Sequence, residues 1–153
     1  MSAMIELRHL CDLAISLGAP LELGHAARGR RRVIPITGGT VSGERLQGEV
    51  LAGGADWQTI FPDGTVELEA RYTLKLDDGA LLDVTNQGFR HGPPEVLDAL
   101  ARGEAIDPQR YYMRTTPRFE TGDARYAWLN RTIFVGSGAR LPDAVCLSFF
   151  EVL

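Results

Sequence analysis

The stretch "VELEARYTLKL", residues 66–76, decides the fold because apolar and polar side chains alternate along its whole length. Successive side chains of an extended strand point to opposite faces, so the stretch predicts a long β-strand with two chemically different faces. The even face consists of Val66, Leu68, Ala70, Tyr72, Leu74 and Leu76, and the odd face consists of Glu67, Glu69, Arg71, Thr73 and Lys75.

Two turns beside this strand set its register. In "FPDGT" a proline followed by Asp-Gly predicts a three-residue hairpin loop at 62–64, because proline fixes the first turn dihedral and glycine accepts the left-handed conformation. "LDDGA" predicts a second such loop at 77–79. When residues are counted outward from each loop, Trp57 is paired across the strands with Glu69, and Arg71 with Thr85. Trp57 therefore shares the odd face with Glu69 and Arg71.

A tryptophan among charged side chains favours an interpretation in which the odd face lines a concave site that stacks a planar ligand. The even face would then pack beneath a helix, the N-terminal segment or a second subunit, since an exposed apolar sheet of this size is an association site. In the alternative interpretation the even face is a closed core, the odd face is solvated, and Trp57 lies across the stem of Arg71. Periodicity by itself favours this alternative.

Turn signals recur at short intervals along the chain and divide extended segments, which is typical of an all-β sandwich or barrel. Strands are predicted near residues 4–16, 21–24, 32–37, 45–51, 57–61, 65–76, 80–88, 111–121, 126–136 and 144–153. One short helix is predicted at 94–102, where prolines suit the first turn and Gly103 suits the end. We therefore predict a single all-β domain over residues 1–153, with the helix covering one barrel end.

Composition excludes several classes of protein. The 153 residues carry a net charge of −4, and no apolar run approaches the ~20 residues of a membrane span. The first residues lack the pattern of a secretory signal, and two cysteines are too few for a disulfide framework, so a cytoplasmic location is expected. The one basic run, at 28–32, lacks interleaved aromatics and is a poor nucleic-acid surface. It is interpreted as a solvated loop flank or as an entrance that attracts an anionic ligand.

Four stretches resemble a bacterial and fungal family catalogued as domain of unknown function 3237. They are "ITGGTVSGERLQGEVLAGGADWQ", "ARYTLKLDDGALLDVTNQG", "YYMRTTPRFETGDARYAWLNRTIFVGSG" and "SFFEVL", which with their connections span nearly the whole chain. The resemblance implies a small antiparallel β-barrel with an interior cavity and supplies no reaction. With the strand pattern it leads us to expect an up-and-down barrel of about 8–10 strands.

The resemblance also implies candidate pocket residues and favours the odd face as the one that lines the lumen. The matching positions are Asp56, Trp57, Arg71, Tyr72, Asn86, Arg114, Thr116, Phe119, Glu120, Trp128 and Asn130. Strand alternation groups Trp57 and Arg71 with Glu69, groups Arg114 with Tyr112 and Thr116, and groups Trp128 with Asn130 and Tyr126. These three groups are expected to converge in the lumen.

Proton transfer is the chemistry that such a lumen suits best. Glu69 is the first candidate for the acid or base and Asp56 the second, although the register places Asp56 on the opposite face unless a bulge rotates it. Arg71 and Arg114 are candidates for binding a carboxylate or an enolate-like oxygen. Alternatively, Glu69 and Arg71 form only a cross-strand ion pair.

Other chemistries are disfavoured. His9, His25 and His91 have no metal-ligand spacing, and Ser137 lies outside a nucleophile-elbow motif. The glycines of "TGGTVSG" fit neither a dinucleotide fingerprint nor a P-loop, so neither a metal nor a cofactor is expected.

The sequence thus predicts a barrel that binds a small molecule in its lumen, with neither nucleic acid nor membrane as a partner and with a homodimer as a further expectation. The first hypothesis is a cofactor-free isomerase, hydratase or cyclase that acts by proton transfer on an aromatic or polycyclic oxygenated metabolite. The alternatives are a lipocalin-like carrier of such a ligand, and a structural protein that assembles through the even face.

Overall fold

The computed structural model describes residues 3–153, in which ten strands form one antiparallel sheet. The strands are β1 Leu7–Leu17, β2 Leu21–His25, β3 Arg30–Ser42, β4 Gly48–Val50, β5 Ala55–Ile60, β6 Val66–Leu76, β7 Leu81–His91, β8 Tyr112–Glu120, β9 Phe134–Arg140 and β10 Ala144–Val152. One α-helix, α1, spans Pro94–Ala101, and 3₁₀ helices span Pro108–Arg110 and Ala124–Arg131. None of the helices within residues 3–153 has the length and apolar character that crossing a bilayer requires.

The sheet closes into a barrel because β1 pairs with β10 on one side and with β3 on the other. From β10 the sheet continues through β9, β8, β7 and β6, and both β4 and β5 then lie between β6 and β3. These two short strands share one position, and β2 is an extra strand paired with β3. The predicted closed, up-and-down antiparallel barrel is confirmed.

The two hairpins have the predicted register. Trp57 opposes Glu69 across β5 and β6, and Arg71 opposes Thr85 across β6 and β7. Gly64 and Gly79 adopt φ values of 88° and 90°, the left-handed conformation that the two loops require.

The even face of β6 points into the barrel, and the prediction that the odd face lines the lumen is wrong. Leu68, Tyr72 and Leu74 are buried, whereas Glu69 and Arg71 are exposed. An eight-strand barrel has an interior only wide enough for side chains to fill, so the apolar face gains most from leaving water. Charged side chains placed there would lose their hydration. The alternative interpretation is correct in placing the even face in the barrel interior and the odd face toward solvent.

One element differs from the sequence prediction in type. The predicted strand at 126–136 is wrong, because Ala124–Arg131 forms a 3₁₀ helix and β9 begins at Phe134. Asp123 starts this helix by accepting a hydrogen bond from the Arg125 backbone N–H. The predicted helix at 94–102 is confirmed as α1. The ladder between β8 and β9 is short, with Arg114 opposite Ser137 and Thr115 opposite Gly136.

The barrel interior has an apolar half and a polar half. The apolar half lies at the end closed by the 3₁₀ helix Ala124–Arg131 and contains Leu46, Leu74, Leu82, Leu129, Phe134 and Phe149, all of them almost completely buried. The polar half lies toward α1 and contains buried Gln58, Asn86, Arg90 and Thr115. Side chains fill the apolar half. Within the described residues, the polar half is therefore the part of the interior that offers polar groups to a ligand.

Candidate functional site

A cavity of about 40 Å³ lies in the polar half of the barrel. Its polar lining consists of Asp56, Gln58, Tyr72, Asn86, Arg90, Thr115 and Arg140, and apolar side chains such as Ile15, Met113 and Leu147 complete the wall. This volume accommodates a few water molecules or the end of a ligand rather than a whole metabolite.

A larger space of about 600 Å³, here called the vestibule, lies outside the cavity at the α1 end. Leu17, Arg90 and Arg140 line both spaces. Leu97 and Leu100 of α1 form part of the vestibule wall. A ligand that places one end in the cavity therefore has room for the rest of its atoms in the vestibule.

Strand alternation explains how the polar side chains reach the cavity. Asp56 and Gln58 are two residues apart on β5 and point to the same face. Asn86 and Arg90 are four residues apart on β7 and also share a face. Because β6 pairs with both strands, its Ala70 lies between Asp56 and Asn86, and Tyr72 is the next inward-pointing residue along β6.

Asp56 is the carboxyl group of the cavity, and both of its oxygens accept hydrogen bonds. The side-chain amide of Gln58 donates to Oδ2 at 2.7 Å, and the backbone N–H of Glu69 donates to Oδ1 at 3.1 Å. The Gln58 amide oxygen in turn accepts from Nε of Arg32 at 2.7 Å. Burial raises the pKa of Asp56, although these hydrogen bonds oppose the shift.

Three arginines surround the boundary between the cavity and the vestibule. Arg90 is only 6% exposed, and burial together with the nearby charges of Arg140 and Arg32 lowers its pKa to about 10. Burial also lowers the pKa values of Arg32 and Arg140. All three remain cationic at neutral pH, because a guanidinium in water has a very high pKa.

Four buried polar atoms in this region have no hydrogen-bond partner among residues 3–153. They are the Tyr72 hydroxyl, Asn86 Oδ1, Arg90 Nε and Thr115 Oγ1, and the neighbouring Asn86 side chain opposes the rise that burial causes in the pKa of Tyr72. Each such group costs about 1–3 kcal/mol when it is left unpaired. All four residues line the one cavity. Native cores rarely concentrate unpaired groups in this way, so the cavity is suited to a polar ligand or to ordered water.

The structure brings only one of the predicted catalytic residues into the lumen. Asp56 lines the cavity directly, without the bulge that the sequence interpretation invoked. Glu69 and Arg71 lie on the outer surface, where Arg71 pairs with Asp83 at 3.3 Å. Trp57 is 38% exposed on the same outer surface. The placement of these three side chains in the lumen is corrected, because the inward face of β6 is the even one.

The predicted binding residues of β8 also point outward. Tyr112, Arg114 and Thr116 are exposed, because the inward positions of β8 are those of Met113, Thr115 and Phe119. The Arg114 guanidinium lies 5.7 Å from the ring centre of Tyr112. This outer arrangement replaces the predicted convergence of the three side chains in the lumen.

Trp128 and Asn130 lie at the opposite barrel end from the cavity, on the 3₁₀ helix Ala124–Arg131. The Arg45 guanidinium sits 5.3 Å from the ring centre of Trp128, and the Asn130 side chain bonds the backbone of Thr121. Their roles are local and structural. Strand alternation could not place them, because the segment is not a strand.

Sequence reasoning missed Gln58, Arg90 and Arg140 as cavity residues. A signal for one of them was present: extending the predicted strand at 80–88 by two residues, in the register of the 77–79 loop, puts Arg90 on the same face as Leu82, Val84 and Asn86. A charged residue that interrupts a buried face indicates a functional polar group. Arg140 carried no such signal, because the strand that contains it was predicted to end at residue 136.

Comparison with known proteins agrees with this architecture. The model of a family described as "Protein of unknown function (DUF3237)" matches residues 5–152. A UPF0311 protein of Rhodopseudomonas palustris is 45% identical over 153 residues, which is 100% of both chains. A crystal structure of a conserved protein of unknown function from that species superposes with a TM-score of 0.96 at 45% identity, covering 99% of this chain and 100% of the other.

More distant similarity extends to a fungus. A Penicillium herquei protein named hydroalkoxylation enzyme is 26% identical over 117 residues, covering 76% of this chain and 63% of the fungal protein. The crystal structure of an enzyme from the same fungus has a TM-score of 0.75 at 20% identity, covering 100% of this chain and 98% of the other, and so shares the fold.

Proposed function

The chain belongs to the DUF3237 family of proteins of unknown function, and we propose that this barrel is a cofactor-free enzyme that moves a proton on a small oxygenated metabolite. The reacting end of the metabolite enters the cavity and lies beside Asp56. One observation carries the proposal: a carboxyl group with a raised pKa lies in a cavity where four other buried polar atoms have no partner.

Asp56 has the properties of a general acid or base. Burial brings its pKa up toward the range in which a carboxyl group both accepts and releases protons under cellular conditions. Gln58 and the backbone N–H of Glu69 hold both carboxyl oxygens, so the group has a fixed direction. A fixed acid or base contributes about 10²- to 10⁴-fold to the rate of a proton transfer.

The unpaired atoms of Tyr72, Asn86 and Thr115 supply substrate contacts. The two hydroxyls donate or accept hydrogen bonds, and the Asn86 carbonyl oxygen accepts one. A metabolite with hydroxyl and carbonyl groups matches this combination. Its binding would satisfy groups that the free protein leaves unpaired, which favours an oxygen-rich ligand over a hydrocarbon.

The reaction class that we favour is addition of O–H across a carbon–carbon double bond, either within one molecule as a cyclisation or with water as a hydration. In such an addition one proton leaves oxygen and one proton joins carbon, so a single carboxyl group can serve both steps without redox chemistry. The name of the fungal relative, a hydroalkoxylation enzyme, supports this choice. Isomerisation by a proton shift would use the same carboxyl group and the same substrate contacts.

The experiment tests Asp56 with compounds that report proton transfer directly. The protein is incubated in D₂O with 2′-hydroxychalcone and a panel of phenolic enones, and ring closure and carbon deuteration are followed by absorbance and NMR. We expect Asp56→Asn to lower kcat by at least about 10²-fold. The matched control is Asp83→Asn, which changes an outer-surface carboxylate that pairs with Arg71 and should leave kcat unchanged.

Two outcomes would contradict the proposal. If Asp56→Asn retains the wild-type kcat, the proton is moved elsewhere. If compounds bind but return without ring closure or deuterium, the barrel is a carrier of the lipocalin kind rather than an enzyme.

A further inference from the structure

Arg32, Arg90 and Arg140 form a cluster, here called the arginine mouth, where the cavity joins the vestibule. They come from β3, β7 and β9, three strands separated in sequence. Arg90 and Arg140 line both spaces, and Arg32 lines the vestibule while its Nε holds Gln58. Any ligand that reaches Asp56 from the vestibule passes these guanidinium groups.

The arginine mouth forms no direct ion pair within the described residues, although Asp56, Glu22 and Asp143 act on it from a greater distance. Among residues 3–153, none of its members has a carboxylate oxygen within 4 Å. Asp56 is the carboxyl group inside the cavity, whereas Glu22, Asp98 and Asp143 line the vestibule. The charge of Arg140 lowers the pKa values of Arg32 and Arg90, and the charge of Arg32 also lowers that of Arg90.

Arg90 is the member that points to a ligand most directly. Its side chain is more than nine-tenths buried, lines the cavity, and has an Nε with no hydrogen-bond partner among the described residues. Burying an unpaired guanidinium is costly, and the cost is recovered when an anion accepts its hydrogen bonds. A guanidinium presents parallel N–H groups that match the two oxygens of a planar carboxylate.

We propose that the arginine mouth binds a carboxylate of the substrate, so that the metabolite is a small carboxylic acid. The inference rests on the proposed function in one respect, since it takes the same ligand to react beside Asp56. The carboxylate sits among Arg32, Arg90 and Arg140, the reacting end enters the cavity, and the remaining atoms occupy the vestibule. The carboxylate thereby fixes which end of the metabolite enters.

The test is calorimetric titration of the full chain with benzoate, benzamide and inorganic phosphate. Benzoate and benzamide have nearly the same shape and differ in charge. We expect benzoate to bind at least about 10-fold more tightly than benzamide, because hydrogen bonds to charged groups exceed those to neutral ones. Arg140→Met should weaken benzoate binding about 10- to 100-fold. The control, Arg118→Met, removes an exposed arginine on β8 and should leave binding unchanged.

A second variant keeps the test informative if Arg140→Met does not fold. Arg32→Met removes a less buried member of the arginine mouth, and thermal denaturation followed by circular dichroism verifies that each variant is folded. Equal binding of benzoate and benzamide, or tighter binding of phosphate than of benzoate, overturns the carboxylate assignment. Unchanged benzoate affinity in both folded arginine variants overturns it as well.

Asp56→Asn separates this inference from the proposed function. The substitution removes a negative charge beside the arginine mouth, so benzoate should bind as tightly as to the wild type or more tightly while turnover is lost. If benzoate binds as expected but Asp56→Asn retains turnover, only the proposed function fails. If turnover is lost but benzoate shows no preference over benzamide, only the carboxylate site fails.

Discussion

At the residue scale, Asp56 and Glu69 show that orientation decides the chemistry of a carboxyl group. They lie on paired strands, and the Glu69 backbone N–H donates to the Asp56 side chain. The Asp56 carboxyl group points inward and its pKa is raised by burial, whereas the Glu69 side chain lies in solvent. The expectation that the odd face lines the lumen made Glu69 the first candidate, and the observed orientation of the strands makes it Asp56.

Tyr72 and Tyr111 differ in a way that stability measurements can detect. Both are buried, but the Tyr72 hydroxyl has no partner while the Tyr111 hydroxyl accepts a hydrogen bond from the Arg140 backbone N–H at 2.9 Å. We expect Tyr72→Phe to raise the free energy of unfolding by up to about 1–3 kcal/mol, because it removes a buried hydroxyl that has no partner. Tyr111→Phe leaves a buried N–H unpaired and should cost about 1–3 kcal/mol.

Urea denaturation of the two variants and the wild type measures both values. A loss above 1 kcal/mol for Tyr72→Phe would show that its hydroxyl is paired inside the protein, which would remove one argument for a polar ligand. We also expect Tyr72→Phe to lower turnover, because the hydroxyl is one of the proposed substrate contacts.

At the element scale, the loops determined the register of the barrel strands, and the apolar–polar alternation by itself favoured the observed orientation, which the family resemblance led us to reverse. The two Asp-Gly loops each demand a left-handed glycine, so pairing followed from local sequence. Which face points inward depends on closure of the whole barrel, and closure joins β1 to β3 and β10 far along the chain. The 3₁₀ helix Ala124–Arg131 escaped prediction because distant Asp78 holds Tyr126 and Arg125.

Gly88 is the glycine of β7 where the neighbouring strand comes closest. A Cβ added there would lie 2.1 Å from the Arg114 carbonyl oxygen and 2.8 Å from the Thr115 Cα, both backbone atoms of β8. Backbone cannot yield as a flexible side chain does, so we expect Gly88→Ala to lower the free energy of unfolding by about 1–3 kcal/mol or more.

Gly122→Ala is the matched control, because nothing lies within 4 Å of an added Cβ at that position. It should change the free energy of unfolding by no more than about 0.5 kcal/mol. Equal effects of the two substitutions in urea denaturation would contradict the close approach of β7 and β8.

At the scale of the whole molecule, the barrel separates stability from function along its axis. The packed apolar half supplies burial, and the polar half carries unpaired groups that reduce stability. The strand pattern predicted an all-β sandwich or barrel, and the family resemblance implied a barrel with an internal cavity. The sequence could not predict the arginine mouth, since that cluster exists only after three distant strands close into a ring.

Asp56 makes the stability of the whole molecule depend on pH. Its pKa is raised in the folded protein, so the stabilising contribution of its protonated form is complete below the unfolded pKa and is lost as pH rises through the folded value. Ionised Asp56 therefore counts against folding at neutral and alkaline pH. Asparagine does not titrate, so the stability of Asp56→Asn lacks this dependence on pH.

We expect the melting temperature of Asp56→Asn, relative to the wild type, to increase as pH rises from 4 to 8. Comparing the two proteins at each pH removes the constant loss of one hydrogen-bond acceptor. Thermal scans at several pH values provide the measurement. A relative melting temperature that falls with pH would mean that the arginines hold Asp56 ionised and that its pKa is lowered instead.

The ladder between β8 and β9, here called the weak joint, has two paired positions and is the shortest ladder of the barrel. Thr115 stands at this joint and borders both the interior cavity and a groove of about 830 Å³ on the outer surface. Segments with few backbone hydrogen bonds open at the lowest free-energy cost. A breathing motion that parts these two strands would enlarge the interior while the remaining strands stay paired. The cavity volume of about 40 Å³ therefore describes the barrel with β8 and β9 paired.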